Sequence, residues 1–339
     1  MPVLPNELNG LLVVDKPGRP LTSKPGAAHD GVVALAADAD ERAGPAGDYL
    51  PTSHDVVDRV RRWSGQRRIG HTGTLDPLAS GVLVLCLGTA TRLVEYYQGE
   101  TKQYYAEVRL GRATDTYDAV GAVTSAAPIP DLNELRIDQA LEKFRGENWQ
   151  LPPAYSAIKQ GGEALYAKAR RGETVTVTAR RVTFHQLTLL EYQPPDWLAL
   201  RVVCSAGAYV RSLAHDLGRA LDTFGYLDGL RREAVGPFTL ADAHSLPAIA
   251  QAGSEGTLAG RLLAPGTGLP LPAMPATAEQ LQRLGFGQIV PMACADCDPA
   301  HVLVQVHDDK GQLAGIIRRL RPTEDDSTVW LCKAEKWLI

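Results

Sequence analysis

The apolar positions come in short runs of two different periods, mixed irregularly along the chain. Residues 11–14 form an unbroken apolar run stopped by Asp15, Lys16 and Pro17, which reads as a short buried strand. Val56, Val57, Val60 and Trp63 recur at helical spacing behind Ser53, a good N-cap. Residues 82–87 read as a second buried strand, broken at Gly88, after which Thr89 caps a short helix through Tyr97. From Lys102 to Leu110 the period is two. Tyr104, Ala106, Val108 and Leu110 face one way, with Glu107 and Arg109 on the other side of a half-buried strand. Further strands are predicted at 174–178, 187–192 and 198–204, and helices at 131–144, 164–170 and 209–221. Strands and helices follow no regular βαβ rhythm. This predicts an α+β fold with a mixed, largely antiparallel central sheet flanked by helices and loops.

Two stretches break the pattern. Residues 18–52 are rich in Gly, Ala, Pro and Asp, carry one short apolar run at 32–37, and read as a flexible insertion. Residues 264–275 have the composition of a linker. Beyond them, 278–284 reads as a helix, and 301–307, 313–318 and 329–332 as strands, with a hairpin turn at 308–311. The expected division is a domain at 1–263, the linker, and a small β-rich domain at 276–339, in keeping with a length of 339 residues. Composition then narrows the class. With 45% hydrophobic and 22% charged residues, the chain is neither disordered nor fibrous. Its longest apolar runs, such as 82–87, fall far short of the roughly 18 residues of a membrane span. The N-terminus has no basic stretch leading into an apolar one, so no secretion signal is expected. Five cysteines, an odd number without dense spacing, fit a reduced cytoplasm better than a disulfide scaffold. The net charge of −4 excludes a uniformly basic coat but leaves room for a local basic patch.

The candidate chemistry lies in the loop Gly70-His-Thr-Gly-Thr-Leu-Asp-Pro-Leu-Ala-Ser-Gly81. Gly70 and Gly73 would let the backbone bend sharply or approach a ligand closely. Pro77 forces Asp76 into extended geometry, so a carboxylate sits on a stiffened corner just before a buried strand. Taken locally, Asp-Pro equally well initiates a plain turn. Arg59, Arg61, Arg62, Arg67 and Arg68 have no acid among them and continue past the helix into the loop. They point to phosphate contact, the alternative being a solvated helix face.

Three more blocks follow in order: Gln150-Leu-Pro-Pro-Ala-Tyr-Ser-Ala-Ile-Lys159, Cys204-Ser-Ala-Gly-Ala-Tyr-Val-Arg-Ser-Leu213 and Leu230-Arg-Arg232. Together with the aspartate loop they closely resemble the TruB family of tRNA pseudouridine synthases, over most of residues 10–240. The resemblance implies the pseudouridine synthase fold, with a C-terminal domain loosely like the small RNA-binding PUA module. It implies isomerisation of uridine 55 in the tRNA T loop, without metal or organic cofactor, by a monomer that needs no protein partner or membrane. It makes Asp76 the catalytic carboxylate and Arg211 the arginine that pairs with it and aims it. Tyr104 would stack on the extruded uracil, its oxygen a candidate for C5 proton removal. Tyr209 and Leu230 would wall the base pocket, and His71 would fill the stack the uridine leaves. Read without the resemblance, Tyr104, Tyr209 and Leu230 pass as core residues and Arg211 as a surface arginine. His71 could equally make a structural hydrogen bond across its loop. Arg59, Arg62, Arg67, Arg68 and Lys159 are the expected backbone contacts, with a second basic region at Lys168, Arg170, Arg171, Arg180 and Arg181.

Other readings are a guide-RNA-dependent synthase of the same fold, a non-catalytic tRNA-binding module, and an N-glycoside hydrolase. The hydrolase would want a second carboxylate to activate water, and the matched blocks hold none. Three features depart from the family's pattern. The insertion 18–52 separates Asp15-Lys-Pro17 from Thr52-Ser-His-Asp55 and is expected beside an RNA-facing edge, although its acidic, small-residue composition argues against a grip on RNA. Ala206 and Ala208 replace larger polar residues, and the C-terminal domain has nearly balanced charge. Cys294 and Cys297 could join His301 and Cys332 as four zinc ligands, but the spacing is not that of a zinc ribbon and a plain loop is the better reading.

Overall fold

Residues 11–14 are fully buried because their strand lies inside a ten-stranded sheet. The computed structural model describes residues 7–22, 49–156, 158–161, 163–165, 171, 173, 176–293 and 301–339. The sheet is built from β1 (Gly10–Lys16), β2 (Ile69–His71), β3 (Ser80–Leu87), β4 (Lys102–Leu110), β5 (Gly146–Gln150), β6 (Arg180–Gln193), β7 (Trp197–Cys204), β8 (Gly225–Val235), β9 (Phe238–Thr239) and β10 (His244–Ser245). Its order is β10-β1-β3-β8-β4-β7-β6-β5, with β2 on β3 and β9 on β8. Among the described residues, only the β1–β10 and β3–β8 strand pairs of this sheet are parallel, so it is mixed and largely antiparallel, as the sequence predicts.

Helix α1 (Ser53–Ser64) buries Val56, Val57 and Val60 in the main core. Its cap is Thr52, not Ser53. The Thr52 hydroxyl accepts the Asp55 N–H at 3.1 Å while the Asp55 carboxylate accepts the Thr52 N–H at 2.8 Å, a reciprocal capping box. This leaves the Ser53 hydroxyl for another task. Thr89 likewise caps nothing: its N–H donates to Asn9 Oδ1 at 2.7 Å, and a 3-10 turn, Gly88–Leu93, precedes the helix Val94–Gln98.

Strand β4 is not half-buried. Tyr104, Ala106 and Val108 enter the main core, but Tyr105 packs with Trp197, Ala199 and Leu21 on the reverse face. There Glu107 accepts the Thr22 N–H at 2.8 Å, and Arg19 pairs with Asp228 at 3.3 Å. Residues 19–22, the root of the predicted insertion, therefore cover the face opposite Tyr104. Residues 23–48 lie outside the described residues. Of the other predicted elements, 131–144 narrows to the helix Glu134–Glu142 and 209–221 to Val210–Ala220. Residues 176–178 form no strand, β6 starting only at Arg180; Ala164 sits in a two-residue strand, and 166–170 lie outside the described residues.

The C-terminal sheet comprises β11 (Ala273–Pro275), β12 (Val290–Ala293), β13 (Leu303–His307), β14 (Leu313–Pro322) and β15 (Val329–Trp337), in the order β11-β13-β14-β15-β12. The predicted hairpin turn closes through Gly311, at φ +74. The segment 264–275 is no free tether. It supplies β11, and the Tyr97 hydroxyl donates to Thr267 O at 2.9 Å. Leu269, Leu313, Ile316 and Leu338 join Leu11, Val13 and Val84 in one apolar cluster, so the small sheet docks on the large one.

Removing the capping box should loosen the entry to α1. Thr52→Ala is expected to lower unfolding free energy by about 1 kcal/mol, measured by urea denaturation. A change below about 0.3 kcal/mol would mean that tertiary packing alone sets this helix start.

Candidate active site

The Asp76 loop is held from three sides. From α1, Ser53 Oγ accepts the Leu75 N–H at 2.8 Å and donates to Leu75 O at 3.0 Å. From β1, the buried Lys16 Nζ donates to Ala79 O at 2.7 Å, Pro17 O at 2.9 Å and Pro77 O at 3.2 Å. Burial lowers its pKa to about 7, with Asp76 pulling the other way. From β8, Arg232 donates through Nε to Val82 O at 2.7 Å and through Nη2 to Gly73 O at 3.0 Å. Asp76 O also accepts the Ala79 N–H at 3.0 Å. The Asp-Pro corner is thus both a turn and a mount for a carboxylate.

The glycine under real constraint here is Gly81, at φ +102, where a Cβ would stand 2.2 Å from Arg232 O across the parallel β3–β8 contact. Gly70 and Gly73 do not adopt positive φ, and a Cβ on Gly73 would meet only Arg232 Nη1, at 3.8 Å.

Arg211 is the second residue of helix α2 (Val210–Ala220), two residues after its cap Tyr209. Gln150 fixes that entry: its Oε1 accepts the Tyr209 N–H at 2.8 Å, and its Nε2 donates to Tyr209 O at 3.0 Å. Arg211 then reaches Asp76 with two parallel bonds, Nε to Oδ2 at 2.8 Å and Nη2 to Oδ1 at 3.1 Å. Two further donors go to Thr116 O and Tyr155 O, both at 3.0 Å, and Asp118 Oδ2 lies 3.7 Å from Nε. Burial raises the Asp118 pKa, against the pull of Thr116 and Arg211. The Arg211 side chain is 5% exposed, so it is no surface arginine, while 34% of the Asp76 side chain remains open.

That open part faces a cavity of about 540 Å³, within the usual range for a small-molecule site. Asp76, Tyr104, Tyr209, Leu230 and Arg211 all line it. Tyr104 belongs at once to the main core and to the cavity wall, and burial raises its pKa. Lys102, Arg180 and Arg232 line the cavity as well. Sequence reasoning gave Lys102 and Arg232 no role and placed Arg180 on an RNA-backbone surface. The signal for Lys102 was present, since it precedes Tyr104 by two positions on the same strand face. Arg180 lies over the Tyr209 ring, 5.8 Å from its centroid. A smaller cleft of about 220 Å³ at Glu147, Asn148, Trp149 and Arg181 offers only an exposed Arg181–Glu147 ion pair.

Other predicted residues lie outside the cavity wall. His71 ends β2 opposite Leu85, and its buried Nδ1 has no hydrogen-bond partner, so that nitrogen makes no bond across the loop. Burial lowers its pKa, and Arg232 and His54 add to the effect, keeping the ring neutral near pH 7. Arg62 and Arg67 are exposed, Arg59 reaches over the Tyr49 ring, and Arg68 donates to Thr91 Oγ1 at 2.8 Å. Arg61 is structural, bonded to Asp58, Arg67 O and Ile69 O. Lys159 lies on a two-residue strand whose side chains are not described, and Cys294 and Cys297 lie outside the described residues. Cys332 is buried in the core of the small sheet. Among the described residues, no group of three or more His, Cys, Asp and Glu could hold a metal.

Residues 61–210 match the model of the TruB family pseudouridylate synthase (N terminal domain). The chain is 49% identical over 201 residues to tRNA pseudouridine synthase B of Symbiobacterium thermophilum, covering 59% of this chain and 67% of that protein. It is 42% identical over 244 residues to the protein of the same name from Thermobifida fusca, covering 70% and 79%. Among solved structures, a chain of a Cbf5-Nop10-Gar1 complex superposes with a TM-score of 0.68 over 98% of this chain and 85% of that one. At 22% identity, that likeness is one of fold.

The pairing of Asp76 with Arg211 predicts energetic coupling. A cycle of Asp76→Ala, Arg211→Ala and the double variant should return roughly 1–3 kcal/mol of interaction energy in urea unfolding. A value below about 0.5 kcal/mol would show that the two groups are held in place independently.

Proposed function

The chain belongs to the TruB family of pseudouridine synthases, and from that premise we propose that it converts uridine 55 of the tRNA T loop to pseudouridine, with Asp76 as its catalytic carboxylate. It is an isomerase that forms pseudouridine in tRNA. The observation that carries the finer reading is the bidentate Arg211–Asp76 pair at the wall of a cavity of nucleotide size.

The reaction conserves atoms. The N1–C1′ bond breaks, C5 bonds to C1′, the C5 proton leaves and N1 gains one. No co-reactant is required, so the protein's task is to hold a glycosyl centre while the base detaches and turns. Asp76 is suited to it, being fixed by Arg211 on one side and open on the other. The bound nucleotide, filling the cavity, must keep water from ending the reaction as hydrolysis. Tyr104 stacks on the uracil, and because burial raises its pKa it does so as a neutral phenol. Tyr209 and Leu230 wall the base. Drawing the uridine out of a folded loop costs a few kcal/mol, and the neutral, flat ring of His71 fills the vacated stack. Arg59, Arg62, Arg67, Arg68 and Lys159 contact backbone phosphates. The enzyme works as a monomer in the cytoplasm, without a protein partner, a setting that suits the buried free thiols Cys86 and Cys204.

Purified protein alone, incubated with unmodified tRNA transcript, should give a carbodiimide-dependent primer stop at position 55. Asp76→Asn should abolish the stop while tRNA affinity stays within about tenfold. Turnover retained by that variant would remove Asp76 from the chemistry. Replacing residues 23–48 by a short bridge should leave kcat/KM within about threefold, because residues 19–22 root the insertion on the face away from Tyr104. A loss of tenfold or more in tRNA affinity would make the insertion an RNA-binding element.

A further inference from the structure

Lys102 and Arg232 are two buried cations in the wall of the Asp76 cavity, only 7% and 2% exposed. Arginine and lysine are seldom so buried without a carboxylate partner. Yet Lys102 Nζ donates to Gln98 O and Glu100 O, and Arg232 donates to Val82 O, Gly73 O and Thr74 O. Main-chain carbonyls orient both groups, Arg232 also bonds the Tyr104 side chain, and the carboxylate that acts on Lys102, Glu100, forms no direct ion pair with it. Asp76 pairs with Arg211, and among the described residues no hydrogen bond or ion pair joins it to Lys102 or Arg232. An ammonium has three donors and a guanidinium five, so each cation keeps at least one to spare. The register sets them around Tyr104. Arg232 lies directly opposite Tyr104 across the β4–β8 pair, and Lys102 lies two residues before it on the same face. The cavity wall beside the proposed stacking tyrosine is therefore positively charged.

We propose that Lys102 and Arg232 form a cationic cradle for the detached uracil, stabilising it as an anion while it turns; this rests on reading the cavity as the pseudouridine-forming site. The N1–C1′ electron pair passes to the base and spreads over N1, O2 and O4. When C5 bonds to C1′, the ring's electrons return to that bond, C5 releases its proton and N1 takes one up. Charge on the base thus exists only between bond breaking and bond making. Fixed donors in a water-poor wall are most effective at that stage. The same attraction keeps the loose base from escaping.

The test uses the full chain and unmodified tRNA transcript. Lys102→Met should lower the single-turnover rate by about 100-fold while the Kd for tRNA stays within about threefold, and Lys102→Arg should restore most of the rate. A folded Lys102→Met with the wild-type rate overturns the cradle. So does an unchanged rate joined to a salt slope of binding smaller by about one, which would mark Lys102 as a phosphate contact. Should Lys102→Met not fold, the pH profile decides. Arg232 from β8, Cys204 from β7 and Glu100 from the preceding turn face Lys102; burial pushes the Cys204 thiol up to about 12, and burial and Arg232 lower Lys102 to about 8. The ammonium is charged below that value, so wild-type kcat/KM should fall as pH rises through about 8. Lys102→Arg should lose this limb, and its persistence in that variant overturns the proposal. A wild-type enzyme making no pseudouridine at position 55 would instead remove the reading beneath it.

Discussion

Arg211 donates two parallel hydrogen bonds to Asp76 from a position almost wholly out of water, and much of the surrounding structure serves to keep that geometry. A guanidinium is buried this way at less cost when its other donors are met, and Thr116 O and Tyr155 O meet two of the three. The carboxylate is bound on one side and open on the other. Ser53, Lys16 and Arg232 reach the same loop from α1, β1 and β8, so three separate elements fix one corner. Helix α2, which delivers Arg211, is in turn fixed by Gln150 at the end of β5.

Positive charge around the cavity follows from the same construction. Lys16, Lys102 and Arg232 are buried with their donors on main-chain carbonyls. Desolvation lowers the pKa of both lysines, and Arg232 adds to the effect. Such an arrangement costs stability in the free protein, where an apolar wall would be cheaper to bury. It makes sense where negative charge arrives or develops during use. The sheet behind it supplies the rigidity: β4 is buried on both faces, by the main core and by residues 19–22.

Legibility in the sequence followed the kind of partner each residue has. Strands β1 and β3 and helix α1 could be read because their partners are apolar and their spacing is regular. Strand β8 could not. It carries Asp228, Arg231, Arg232 and Glu233 and is interrupted by two register shifts, so its charges mask a buried strand. The edge strand β5 is mostly exposed and has no apolar alternation. In the site, Asp76 and Arg211 were visible through their motifs, and the ion pair unites them. Lys16 and Arg232 were not assigned because they bind main-chain carbonyls, which leave no mark in a sequence. Ser53 has the residue type and place of a cap, but its hydroxyl holds the Asp76 loop through Leu75.

In the proposed reaction, Arg211 aims one oxygen-bearing face of Asp76 at a flipped nucleotide. The most direct measurement is a crystal structure of the chain bound to a tRNA T stem-loop. The uridine ring is expected against Tyr104 and its C1′ about 3–3.5 Å from an Asp76 oxygen, with both Arg211 bonds intact. A nucleotide bound outside this cavity, or Asp76 turned away from Arg211 in the complex, would contradict it.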